Sequence, residues 1–315
     1  MLQIKSRSFA VIVSIVFTAQ AFITSPTALA AADFETVLAQ RLARAPKTVL
    51  VDGRQVRQTG VAVDEICDVS NPVARRVFSE YGAMFVGRSN VFAGYAQALT
   101  GNSMRFLANC VFQDETEVAL YQNNVKTKRA TIGGTTVELQ EDAMDALERA
   151  IAEARARNLR ITPRGGATAS RRSYRQTVEL WNSRFLPGLA YHSRQGRISP
   201  REAEAVRLSP IMTQVEKVLG WEEKGYFFSK DLSKSILYSV AAPGASQHIF
   251  MLALDVAEFG NPEVREILAR HGWFQTVLSD QPHFTYLGLN EAELPRHGLV
   301  AKYAGGQKFW VPKMN

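Results

Sequence analysis

The chain has 315 residues, of which 46% are hydrophobic and 21% charged. This composition provides enough apolar material for about two packed domains and excludes an intrinsically disordered protein. The formal net charge is +7, but the basic residues are scattered and form no dense tract with interleaved aromatics, so we do not expect a nucleic-acid partner. A mildly basic surface suits an anionic partner such as cell-wall polymer, although it is equally typical of an ordinary soluble protein.

The first 30 residues have the pattern of a secretory signal peptide. Lys5 and Arg7 precede an apolar run over residues 9–23, and the small residues around Ala30 resemble a signal-peptidase site. A membrane anchor is the alternative, but the run is shorter than the roughly 20 residues that a span requires. We predict a signal peptide over 1–30 and an exported mature chain, periplasmic or secreted, without a membrane span. Losing two positive charges lowers the net charge from +7 to +5.

Residues 31–138 are predicted to form a smaller N-terminal accessory region without a catalytic constellation. The patterns predict a short helix near 34–42, a helix and then a small strand within 75–87, a helix from Asp114 to Gln122, and a hairpin over 127–140 that turns at two glycines. The region is either a wall-targeting module or a structural extension. Its two cysteines, Cys67 and Cys110, form either one disulfide, as is common in exported proteins, or two buried thiols.

A second domain is predicted over residues 139–315. It opens with the strongest helix pattern of the chain, Glu141–Asn158, whose apolar residues recur at helical spacing between an acidic start and a basic end. The later patterns predict strands at 159–163, 236–241, 253–256 and 283–288, helices at 171–185 and 261–271, and a largely helical or loop segment at 199–221. Because strands and helices alternate irregularly, we predict an α+β fold with a small antiparallel sheet flanked by helices.

Two histidines and an aspartate in this domain stand at strand ends. His248 precedes the strand that Asp255 closes, and His283 opens another strand. Two imidazoles and one carboxylate are a common set of three protein ligands for catalytic zinc, although isolated structural histidines explain the same residues. The remaining histidines lack such a pattern, and His271 suits the last turn of a helix.

The stretches "RRSYRQTVELW", "SQHIFMLALD" and "DQPHFTY", in this order along the chain, together resemble the signatures of the zinc D-alanyl-D-alanine carboxypeptidases and dipeptidases of the vancomycin-resistance type. The stretch "SQHIFMLALD", which starts at Ser246, resembles S-x-H-x-x-G-x-A-x-D. The stretch "DQPHFTY", which starts at Asp280, resembles E-x-W-H-F-x-Y. The stretch "RRSYRQTVELW" resembles Y-R-S-Y-x-x-Q-x-x-L-Y and keeps Arg172 and Tyr174. The resemblance covers the second domain only.

The resemblance implies a single zinc site and a role for each matched residue. His248, Asp255 and His283 would bind Zn2+, and Asp280 would stand in for the glutamate that takes a proton from the zinc-activated water. Arg172 would stabilise the oxyanion or anchor the substrate. The supporting substrate-binding residues would be Tyr174, Ser246 and, as a competitor of Arg172, Arg164. The implied substrate is the peptide stem of peptidoglycan.

Departures from the motifs leave alternatives open. Asp280 is one methylene shorter than glutamate, Pro282 replaces a tryptophan, and Met251 replaces a glycine. These changes allow a catalytically weak or inactive module that binds cell-wall peptide, and a zinc endopeptidase is a further alternative. The sequence contains no H-E-x-x-H, S-x-x-K or G-x-S-x-G motif, which argues against a helical zinc site and against serine chemistry.

Overall fold

The structure, a computed structural model, describes residues 48–51, 54–57, 70–87 and 110–314. It mixes helices with small antiparallel sheets, as expected for an α+β protein. The predicted signal peptide, the helix near 34–42 and Cys67 lie outside the described residues. Cys110 is disulfide-bonded. Within the described ranges, no helix combines the length and the hydropathy needed to cross a bilayer.

The elements before residue 125 are short. Strands β1 (Thr48–Val51) and β2 (Arg54–Arg57) form an antiparallel pair. Helices follow at α1 (Pro72–Tyr81), α2 (Ala83–Gly87) and α3 (Glu115–Asn124). The prediction of a strand after α1 is wrong, because Gly82 ends α1 and the apolar run continues as α2. A short apolar run does not distinguish a buried strand from a buried helix.

A hairpin leads directly into a helix with a long buried face. Strands β3 (Thr127–Ile132) and β4 (Thr135–Gln140) pair antiparallel around Gly133 and Gly134. Both glycines have positive φ, 58° and 81°, as a tight hairpin turn requires. Helix α4 (Glu141–Ala156) starts at once and buries its apolar face, so the hairpin and helix predicted here are confirmed.

Four further helices carry recognisable start signals or apolar faces. Helix α5 (Tyr174–Arg194) begins with a capping box made by Ser173 and Gln176. Asn261 caps α8 (Pro262–Arg270), which has proline in its first turn as predicted. Between them lie α6 (Pro200–Arg207) and α7 (Ile211–Glu222).

The central sheet has three strands in the order β5-β7-β6, all antiparallel. These are β5 (Ala253–Asp255), β6 (Trp273–Gln275) and β7 (His283–Tyr286). The register pairs Asp255 directly with His283. A terminal hairpin, β8 (Leu299–Ala304) with β9 (Gln307–Pro312), packs against α1 and α2.

The strands predicted at 236–241 and 159–163 do not form. The segment 236–241 contains a short 3-10 helix, Ile236–Tyr238, because the Ser235 hydroxyl caps it and the Glu222 carboxylate accepts the Ile236 N–H at 2.6 Å. The segment 159–163 forms only one isolated bridge, between Pro163 and Val256. Both segments are apolar enough to suggest strands, but neither forms a ladder with another strand among the described residues.

The core joins residues on both sides of position 139. The Phe250 ring lies 5.2 Å, centroid to centroid, from the rings of Phe85, Phe112 and Tyr121. Gly244 (φ 81°) packs so closely on Phe112 that an added Cβ would lie 2.0 Å from the Phe112 carbonyl oxygen. The predicted division at 139, which would pass through β4, stays a prediction.

Candidate metal centre

Three side chains far apart in the sequence converge on one point of the sheet. His248 Nε2 lies 3.1 Å from His283 Nδ1, and each of these atoms lies 3.3 Å from Asp255 Oδ1. Both imidazoles are buried, and the carboxylate is largely buried. The three residues predicted from their strand-end positions therefore form one cluster that can hold a metal ion.

The triangle has the dimensions of one face of a coordination tetrahedron. In a regular tetrahedron the edge is about 1.63 times the centre-to-corner distance, so edges of 3.1 to 3.3 Å place a central ion about 1.9–2.0 Å from each ligand atom. Zinc bonds to nitrogen and carboxylate oxygen are about 2.0–2.2 Å. The residues present thus fit a small divalent ion.

Local structure explains how each ligand reaches this point. His248 lies in a short 3-10 helix, Gln247–Phe250, that ends at Met251. Asp255 ends β5 and His283 begins β7, and the register of the two strands places them side by side. Met251 has a φ of 54°, in the left-handed region that glycine adopts most readily, and its conformation turns the chain from the 3-10 helix toward β5.

The electrostatic environment favours the metal-binding forms of the ligands. Burial lowers the pKa of His248 to about 4, and the charge of Arg172 acts in the same direction. The ring is therefore neutral at neutral pH, which is the form that coordinates metals. Burial alone would raise the pKa of Asp255, but the two imidazoles hold the pKa of this carboxyl group below its usual range.

Arg172 and Arg164 lie in the segment before α5, and both contact Asp255 of the cluster. Arg172 Nη2 lies 3.0 Å from Asp255 Oδ2, the carboxylate oxygen that does not face the imidazoles. Its Nε donates to the Thr168 carbonyl oxygen at 3.1 Å. The Arg164 backbone N–H donates to the Asp255 carbonyl oxygen at 2.8 Å, while its guanidinium lies over the Phe259 ring.

Asp280 lies at the mouth of a cleft of about 230 Å³ that reaches the cluster. Partial desolvation of its carboxyl group raises the pKa of Asp280. His283 and Arg172 oppose this shift, whereas the charge of Asp255 adds to it. A wider groove of about 700 Å³, lined partly by Arg164, adjoins on the other side of Asp280. Asp280 therefore lines both the cleft and the wider groove.

The other predicted substrate residues have different positions. Ser246 is buried at the start of the 3-10 helix and lines the cleft. Tyr174 is buried at the first turn of α5 and is not one of the residues that line the cleft, whereas Thr177 and Leu180 of the same helix do line it. Tyr81 also lines the cleft, although no pattern in the sequence assigned a site role to residues before 139.

Sequence reasoning also missed Gln247, which contacts a ligand directly. Its Oε1 lies 2.7 Å from His283 Nε2, and its side chain is fully buried. The available signal was a third polar residue, between Ser246 and His248, just before the apolar run that begins at Ile249. A buried amide beside a ligand histidine is a typical means of orienting the ring.

Comparisons with protein-family models, with curated proteins and with solved structures find no match to this chain.

Proposed function

We propose that this protein is an exported zinc metallopeptidase that cleaves peptidoglycan stem peptides, as a D-alanyl-D-alanine carboxypeptidase does. The observation that carries the proposal is the closure of His248, Asp255 and His283 into one triangle beneath a cleft that also contains Asp280 and Arg172. A metal site at the bottom of a cleft, with a free position and a carboxylate at its mouth, suits hydrolysis.

Zinc fits the ligand set better than a hard cation does. Two imidazoles and a single carboxylate are typical zinc donors, whereas calcium and magnesium prefer oxygen ligands. When bound, zinc polarises a carbonyl oxygen and lowers the pKa of a coordinated water to about 7. Asp255 would bind the metal and pair with Arg172 at the same time, since one of its oxygens faces the imidazoles and the other lies 3.0 Å from Arg172.

Asp280 and Arg172 would carry the protein's share of the chemistry. Asp280 accepts a proton from the attacking water, whose oxygen forms the new bond to the peptide carbonyl carbon. It then delivers that proton to the leaving amine as the carbon–nitrogen bond breaks. Arg172 presents a guanidinium on the cleft wall, where it can bind the developing oxyanion or the terminal carboxylate of the peptide.

The conformation of Met251 supports the resemblance on which the substrate assignment depends. The signature S-x-H-x-x-G-x-A-x-D has a glycine where this chain has Met251, and Met251 adopts φ 54°. A left-handed residue at this point is what a glycine in the signature provides without strain. The glycine and the methionine would therefore serve the same turn between the histidine and the aspartate.

The test is hydrolysis of purified muropeptides that end in D-alanyl-D-alanine, with and without a chelator. We expect cleavage that a chelator abolishes and zinc restores. Asp280→Ala should lower turnover by about 10²–10⁴-fold, the usual contribution of a positioned acid or base. Asp145→Ala is the control, because Asp145 lies on α4 and pairs with Lys128. Chelator-insensitive cleavage, or equal loss in both variants, would contradict the proposal.

A second candidate is a peptidase-like module that binds cell-wall peptide without cleaving it. The observation in its favour is the shorter carboxylate at Asp280, which has one methylene less for reaching the water than the glutamate of the signature. Under this alternative the wild type leaves muropeptides intact, and Asp280→Ala binds them as tightly as the wild type does. Product analysis also separates a carboxypeptidase, which releases one terminal residue, from an endopeptidase that uses the adjoining groove.

A further inference from the structure

Gln247 is held by contacts at both ends of its amide. Its Nε2 donates to the Tyr81 carbonyl oxygen at 2.9 Å. Its Oε1 lies 2.7 Å from His283 Nε2 and also accepts a short hydrogen bond from the Thr285 hydroxyl. The side chain has no solvent exposure, so water does not replace any of these partners.

The Tyr81 carbonyl determines which way the Gln247 amide points. If the amide were turned over, its oxygen would face the Tyr81 carbonyl oxygen, and two acceptors would be buried against each other. The penalty for leaving a buried acceptor without a donor is about 1–3 kcal/mol. The amide nitrogen therefore faces Tyr81, and the amide oxygen faces His283.

The orientation of the amide in turn determines the tautomer of His283. A carbonyl oxygen accepts but does not donate, so His283 Nε2 must carry the hydrogen. A neutral ring protonated at Nε2 has its lone pair on Nδ1, which is the atom that faces His248 Nε2 and Asp255 Oδ1. By contrast, His248 Nδ1 is buried with no hydrogen-bond partner among the described residues, so no such contact orients that ring.

We propose that Gln247, fixed by the Tyr81 carbonyl, is a positioning residue that presents the lone pair of His283 Nδ1 to the metal. This inference rests on the metal site of the proposed function but not on its substrate. It also gives the segment before residue 139 a part in the site, because Tyr81 is the last residue of α1.

The test compares zinc affinity, measured by chelator competition, in four proteins. Gln247→Leu removes the acceptor and should weaken zinc binding roughly 10–100-fold, as is usual when the partner of a ligand histidine is lost. Gln247→Glu keeps an acceptor for His283 Nε2 but loses the donor to the Tyr81 carbonyl oxygen, so it should bind zinc more tightly than Gln247→Leu and less tightly than the wild type. Gln275→Leu is the matched control and should bind zinc like the wild type. Gln275 is a buried glutamine at the end of β6 whose side chain bonds to Gln281 and Gln307 rather than to a metal ligand.

Nitrogen NMR of the histidine rings in the metal-free wild type provides a readout that does not require the variants to fold. We expect the hydrogen of His283 on Nε2, and a mixture of tautomers in Gln247→Leu. A hydrogen on Nδ1 in the wild type, or unchanged zinc affinity in folded Gln247→Leu, would overturn the inference. Tight zinc binding without cleavage of any muropeptide would refute the proposed function and leave this inference standing.

Discussion

Zinc should stabilise the folded protein through the His248, Asp255 and His283 triangle, and removing one corner should abolish the effect. The edges of 3.1 to 3.3 Å already match the ligand spacing around zinc, so binding needs little rearrangement of the native state. At a free zinc concentration 100 times the Kd, binding to the native state alone adds about 2.7 kcal/mol to the free energy of unfolding. For a chain of this size that corresponds to an increase in Tm of about 5–10 °C, at roughly 2–4 °C per kcal/mol.

The assay is thermal unfolding of the wild type, His283→Ala and His271→Ala, each with and without zinc. His271 is the matched control, because it bonds to Glu153 at 2.9 Å and lies outside the triangle. We expect the zinc-dependent shift in the wild type and in His271→Ala but not in His283→Ala. An equal shift in all three proteins would mean that zinc binds elsewhere, and no shift in the wild type would refute the metal site.

Three further predictions test the surroundings of the site. Gly244→Ala should destabilise the protein by about 2–4 kcal/mol in urea unfolding, because the positive φ and the contact with the Phe112 carbonyl oxygen both disfavour a Cβ. A loss below about 1 kcal/mol would contradict this prediction and show that the backbone shifts to accommodate the methyl group. Burial raises the pKa of Glu222 in the folded protein above 4.5, its value in the unfolded chain. Between the unfolded and the folded pKa, the native state holds a proton that the unfolded state releases, so stability should fall as pH rises through this range. Glu222→Gln should reduce this slope but not remove it, because the pKa values of Asp280 and Glu80 are also raised. An unchanged slope in urea titrations across pH would contradict the assignment. Arg172→Lys should lower turnover on the order of 10²-fold, and zinc affinity should fall by less than this, because lysine keeps a positive charge beside Asp255. Arg171→Lys is the control, since Arg171 bonds to Gln122 and Glu138 instead, and an equal loss in both would argue for a structural role.

Local signals explain which elements could be predicted from the sequence. The Gly133–Gly134 turn, the capping residues Ser173 and Asn261, and the apolar stripe of α4 act within a few residues, so the hairpin and the helices follow from them. The segment 236–241 was predicted wrongly because its conformation depends on Glu222, a buried carboxylate from another helix. A contact of that kind leaves no periodic pattern in the sequence.

The site shows the same division between local and distant information. The positions of His248, Asp255 and His283 at the ends of short apolar runs suggested a cluster but left isolated structural histidines as an alternative, and the motif resemblance favoured the cluster. Gln247 could not be identified, since its role depends on the Tyr81 carbonyl and on His283, which lie 166 and 36 residues away. A backbone carbonyl has no residue type, so no sequence motif can mark it.

The separation of these partners has a consequence for the time at which the site forms. Closing the loop between Gln247 and Tyr81 costs chain entropy that is recovered only when the surrounding core has assembled. The unfolded chain offers isolated imidazoles and carboxylates, which hold an ion far more weakly than the closed triangle does. Under the proposed function, a chain that is still being synthesised should therefore bind no ion, and it should acquire one only after it has folded.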